Sequence, residues 1–222
     1  MNGLDVAWNR LLEMEHSLVC KRAQVEFKDG KYLIEFLKDL YQIELQTRKI
    51  NMPSSPSSKI NFDLALVLLT YLTQAKEINL SNKWVSPRDL KSGYLFFTGT
   101  HSLEDSIFLE KFGHAPNRLF EVGVKLGAKP ASYGDKSIIL FPLPRIPLLY
   151  LIWTGDDEFE PGMSILLDST AEFHLPLDVL YALIRITTKK LVVSENNSNN
   201  EIYADLVSKR DFLQRVKCKT RL

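Results

Sequence analysis

The residues best equipped for chemistry lie between Tyr133 and Asp168. Asp135, Asp156, Asp157, Glu158 and Glu160 crowd two apolar runs, with Arg145, Tyr133 and Trp153 among them. Clustered carboxylates repel, and they stay ionised together only where a cation, an arginine or water relieves them. One chemistry that follows is a hard divalent cation, Mg²⁺ or Ca²⁺, on Asp135, Asp156 and Glu158 with His101 as a fourth ligand. The other is a solvated hairpin loop bridged to Arg145, and the spacing matches no calcium-loop pattern. Arg145 sits in Pro144-Arg145-Ile146-Pro147, where proline stiffens the backbone around it. An arginine held this way can clamp a carboxylate or phosphate through two parallel hydrogen bonds. It can equally bridge to Asp135, Asp156 or Asp157. Trp153 and Trp84 either line a pocket or fill the core.

His101 stands in Gly99-Thr100-His101-Ser102 at an expected helix start, a position for a ligand or a general base as much as for a surface residue. His114 and His174 share no His-Glu-x-x-His spacing with it. There is no Gly-x-Ser-x-Gly elbow and no phosphate-binding glycine loop. Two cysteines, Cys20 and Cys218, are too few for a four-cysteine zinc or iron-sulfur site. They fit a reducing compartment.

The net charge of +1, from 28 basic and 27 acidic residues, supplies no field that would draw nucleic acid. The basic run from Lys209 to Arg221 reads as a solvated helix face and tail. The start of the chain lacks a signal-peptide profile. The longest apolar run, Ile146 to Trp153, is too short to span a bilayer. The expectation is a cytoplasmic chain with neither membrane nor nucleic acid as partner.

The elements that must position these residues follow from pattern. Leu4, Trp8, Leu11, Leu12 and Leu18 recur at helical spacing. Val25 and Phe27, then Asp29-Gly30, then Tyr32, Ile34 and Phe36 describe a hairpin, and Tyr41, Ile43 and Leu45 extend it to a meander. A proline- and serine-rich loop at 51–58 precedes an apolar helix over 62–76, which belongs against a sheet. Ser86-Pro87 starts a short turn, and Ser102 to Asp105 resembles a helix cap. Helices are expected up to Gly113 and over 117–126, and strands over 138–141, 148–153 and 164–167. A helix over 177–191 turns Val179, Leu180, Leu183 and Ile184 inward. Strand and helix do not alternate, which predicts α+β: a mainly antiparallel sheet covered by helices, with an N-terminal helix and meander and a C-terminal helix. The expected organisation is one domain over 1–193, a polar linker over 194–200 and a helical appendage over 201–222 carrying Ile202, Leu206, Phe212 and Leu213.

Several of these motifs together resemble a known family. They are Gly99-Thr100-His101-Ser102-Leu103, Phe112-Gly113, Leu126-Gly127-Ala128, Tyr133-Gly134-Asp135 and the run from Leu143 through Pro147 and Trp153 to Phe159, with Leu167-Asp168 and Leu175-Pro176. The family is domain of unknown function 3786, found mainly in anaerobic bacteria and archaea. The likeness spans roughly residues 84–191, and more loosely the N-terminal part. Some members accompany a cysteine-rich segment and carry an iron-sulfur or metal-binding label. With Cys20 and Cys218 alone, this chain is not expected to hold an iron-sulfur cluster. The resemblance implies one compact domain and no particular activity.

The leading expectation is a non-catalytic protein that binds a small cofactor or anionic ligand with His101, Tyr133, Asp135, Arg145, Trp153 and Asp156. A corrinoid or haem would suit the anaerobic setting that the resemblance implies. The alternatives are a metal-dependent enzyme using Asp135, Asp156, Glu158 and His101 to activate water, and a protein-interaction module presenting the Pro142 to Pro147 segment to a protein partner.

Overall fold

A computed structural model describes residues 3–98, 101, 103, 106–155 and 157–194. The expected cap at Ser102 to Asp105, the acidic residue Asp156, the 194–200 linker and the 201–222 appendage lie outside the described residues, save Leu103 and Ser194.

The opening apolar pattern forms two helices, α1 (Gly3–Glu13) and α2 (His16–Ala23), because residues 14 and 15 leave the helical path. The meander follows as β1 (Glu26–Lys28), β2 (Lys31–Phe36) and β3 (Asp39–Glu44), with β4 (Lys49–Asn51) added at its edge. These four strands form an antiparallel sheet in chain order. Asp29 (φ 52°) and Gly30 (φ 74°) make the tight β1–β2 turn, whose two positive φ angles match the strand twist. On β2 and β3, Tyr32, Ile34, Phe36, Tyr41 and Ile43 are buried while their neighbours along each strand are more open.

Helix α3 (Phe62–Gln74) starts at Asn61, whose side chain accepts a hydrogen bond from the Leu64 amide at 2.8 Å. It buries Leu64, an unbroken run from Val67 to Thr73, and so more than one face. Such an all-round apolar helix belongs in the interior, and α3 packs on α1 and α2.

The second sheet is antiparallel, in the order β5 (Trp84–Val85), β9 (Gly162–Asp168), β8 (Ile146–Trp153), β7 (Lys136–Leu143), β6 (Lys129–Ala131). Every residue of central β8 except Trp153 is buried, which explains its unbroken apolar run. The β7–β8 register slips between Leu140 and Leu143, around Pro142, which has no amide to donate. Pro130 is tolerated because β6 is an edge strand. Cross-strand partners Ile138, Tyr150 and Ile165 point to one face. On that face lie α5 (Ser106–Phe112), α6 (Pro116–Lys125) and α7 (residues 177–194), seen in the Phe108–Tyr150 ring stack, the approach of Gly123 to Ile138 and the Tyr150–Thr188 hydrogen bond. A short helix, α4 (Gly93–Phe96), lies between β5 and α5 in the chain.

The architecture is therefore α+β, with seven helices and two antiparallel sheets among the described residues. No helix among the described residues is long and apolar enough to cross a membrane.

Candidate functional site

The sequence-expected site residues divide among three places. Tyr133, Asp135 and Trp153 come together where β7 begins and β8 ends. The Asp135 amide donates to the Ile152 carbonyl, and its Oδ2 accepts from the Thr154 amide and hydroxyl, both at 2.8 Å. Those two bonds, the backbone one first, hold the carboxyl below its ordinary range. Gly134 (φ 56°) turns the chain against the Trp153 indole. Tyr133, Gly134 and Asp135 line a shallow cleft of about 590 Å³ with Asn117 and Phe120 of α6.

Arg145 lies at the other end of the same strands. It occupies the β7–β8 turn, and eight-residue strands put that turn about 25 Å from Asp135. Its side chain is buried, and Nε, Nη1 and Nη2 donate to the carbonyls of Arg22, Ile78 and Lys21 at 2.6, 2.9 and 3.3 Å. Its amide donates to the Tyr71 hydroxyl, which itself donates to the Ala23 carbonyl. The guanidinium thus serves main-chain carbonyls, where sequence reasoning had offered it an acidic partner or an anion.

His101 is in a third place. It stacks on Phe96 of α4 with ring centroids 4.4 Å apart and meets the Tyr181 ring of α7 edge-on at 5.3 Å. Glu158 is exposed in the turn before β9. Among the described residues no three His, Cys, Asp or Glu side chains are grouped to hold a metal ion, so His101, Asp135 and Glu158 form no such set. Asp156, the remaining member of both expected sites, lies outside the described residues. Asp168 stands at the far end of β9 from that acidic turn. It is buried and accepts from Ser81, Asn82 and Thr170.

The arrangement most like a ligand site lies beside His101, between α5, β9, α7 and the start of α3. It is a cleft of about 540 Å³, within the range of small-molecule sites. Ile107, Phe108, Ile165 and Ile184 give it an apolar floor. Phe108 stacks on fully buried Tyr150, whose hydroxyl shares a hydrogen bond with Thr188 on the cleft wall. Burial drives the Tyr150 phenol upward, so it stays a neutral hydrogen-bonding group. Arg185 and Lys189 stand exposed on the rim, one helical turn apart, with Cβ atoms about 6 Å from each other. The Arg185 guanidinium lies over the Tyr181 ring at 5.4 Å. Asp63 and Asn61, at the start of α3, also line it.

Among the described expected residues, His101 touches this cleft's lining, through Tyr181. The signal for the others was present but weak. Arg185 and Lys189 follow the inward stripe of α7 at an i, i+4 interval, the ordinary pattern of a solvated helix face. Nothing local reveals that α5 stands across from them.

No curated protein and no solved structure matches the chain significantly. A family profile matches residues 15–190, well over half of the chain. It includes α7 up to Lys190, hence both rim cations, and every expected site residue from His101 to Glu158. The chain belongs to the family described as Domain of unknown function (DUF3786).

Proposed function

We propose that this chain is a non-catalytic binding protein for a small ligand or cofactor with an apolar body and an anionic end, seated in the cleft between α5 and α7. One observation carries the reading: an apolar floor of Ile107, Phe108, Ile165 and Ile184 meets two rim cations, Arg185 and Lys189. The floor takes the apolar body by excluding water. Arg185, placed by its contact with Tyr181, takes the anion with Lys189. Asp63, which also lines the cleft, disfavours a second negative charge on the ligand. Work in the cytoplasm is part of the same reading.

The test is a fluorescence titration with anilinonaphthalene sulfonate, an apolar ring system bearing one anion, beside the uncharged dye phenylnaphthylamine. Saturable binding of both is expected. Replacing Arg185 and Lys189 together by Ala should weaken the sulfonate about tenfold, or about 1.4 kcal/mol, and leave the uncharged dye nearly unchanged. Equal sulfonate affinity in variant and parent would overturn the reading.

A further inference from the structure

Beneath its charged rim, the α5–α7 cleft holds a pair of hydroxyls with one proton too many. Tyr150 of β8 is fully buried, and its hydroxyl lies 3.0 Å from that of Thr188 on α7. Thr188 is partly buried and lines the cleft. Each hydroxyl has one proton to donate. One of the two protons fills the shared bond, and neither hydroxyl has another hydrogen-bond partner among the described residues. One donor is left over.

Burial decides which one. A buried donor without an acceptor gives up its bond to water and gains nothing in return. Tyr150 is closed off from solvent, so its proton takes the shared bond, and the Thr188 proton is the one left for the cleft. A threonine inside a helix can return this proton to the carbonyl four residues back. Thr187 does so to Leu183 at 2.8 Å and Thr73 to Leu69 at 3.0 Å, whereas Thr188 makes no such bond among the described residues. Thr188 is also well placed. It follows Ile184 of the apolar floor by four residues and Arg185 of the rim by three, so its Cβ is about 5–6 Å from each of theirs.

We infer that Thr188 selects the ligand: its hydroxyl donates to an acceptor oxygen, a carbonyl or an ether, carried on the ligand's apolar body a few bonds from the anionic end. The inference deepens the ligand reading of this cleft and rests on it. A hydrocarbon body would displace water from Thr188 and leave the donor unpaired, whereas an oxygen at that point restores the bond. An apolar floor discriminates weakly between bodies of similar size, and a donor that must be answered discriminates strongly. The class of ligand narrows from amphipathic acids in general to oxygenated ones.

The experiment titrates the full chain with two uncharged dyes: propionyl-dimethylaminonaphthalene, which has a ketone oxygen, and phenylnaphthylamine, which has none. Thr188→Val removes the hydroxyl at nearly constant shape. Tyr150→Phe combined with Thr188→Val removes both hydroxyls and leaves no buried donor unpaired, which protects the fold. Thr188→Ser keeps the hydroxyl. The ketone dye is expected to bind both valine variants about fivefold more weakly than the parent, and its bound emission should move to the blue as the carbonyl loses its donor. Phenylnaphthylamine should bind parent and variants alike, and the serine variant should match the parent with both dyes.

Equal affinity and emission of the ketone dye in parent and valine variants would overturn the inference, while saturable binding of both dyes would leave the ligand reading standing. Equal weakening of both dyes would also overturn it, because Thr188 would then act by packing alone. Binding of neither dye by the parent would sink the ligand reading of the cleft and the inference with it.

Discussion

His174 and Asp168 behave in ways their sequence neighbours do not announce. His174 is fully buried, and its Nδ1 accepts from the Lys76 amide at 3.2 Å. The ring is thus neutral with its proton on Nε2, an atom without a hydrogen-bond partner among the described residues. Burial, then the Arg145 charge, push its pKa down to about 4 against the pull of Asp168, and Lys76 adds to the depression. Between pH 6.5 and about 4 the unfolded chain binds a proton that the folded chain refuses, so stability falls as pH drops through that window and levels off below it. The loss should be on the order of 1–3 kcal/mol. Urea unfolding at pH 7 and pH 4.5 should show a larger loss for the parent than for His174→Gln, and equal losses would refute this. Asp168 acts at lower pH. Burial raises its carboxyl, but the hydrogen bonds from Thr170 and Ser81 outweigh this and keep it below the ordinary range. A histidine before Leu175-Pro176 is visible in the sequence; its burial against residues almost a hundred positions away is not.

Elements with a strong local cause were legible. The Asp29-Gly30 turn, the apolar run of α3 and the inward stripe of α7 each follow from residues within one or two turns of one another. Removing the Asn61 cap tests the local hold on α3: Asn61→Ala should cost about 1 kcal/mol, read as a lower urea midpoint, and an unchanged midpoint would show that α3 is held by packing alone. Three short edge strands that no strong turn signal announces were not legible. β4, β5 and β6 have three, two and three residues, too few for alternation to register. β5 exists because Trp84 and Val85 pair with Asp168 and Leu167, more than eighty positions later. Ile107 of α5 is 54% exposed although apolar, and it lines the open cleft.

At the scale of the molecule, Arg145 joins parts that are remote in the chain. Its guanidinium satisfies two carbonyls at the end of α2 and one at Ile78, while Lys190 of α7 pairs with Asp39 at the start of β3. Arg145→Ala would leave three carbonyls without their donors and should destabilise the fold by about 2–4 kcal/mol. Lysine has the charge without the planar fork, so Arg145→Lys should recover less than half of that. Unfolding midpoints within about 0.5 kcal/mol of the parent for either variant would show the tie to be dispensable.

Composition, periodicity and turn residues by themselves determined the α+β class, the meander, the buried α3 and the inward face of α7, since each depends on contacts between near neighbours. The assembly of a site depends on which strand ends and helix faces meet. Asp135 and Arg145 are ten positions apart but lie at opposite ends of β7, because an extended strand carries the chain straight across the sheet. Phe108 and Lys189 are eighty-one positions apart but line one cleft, because α5 and α7 pack on the same face of that sheet. Only the tertiary structure decided those two outcomes, and with them the move of the candidate site from the acidic turn to the cleft beside α7.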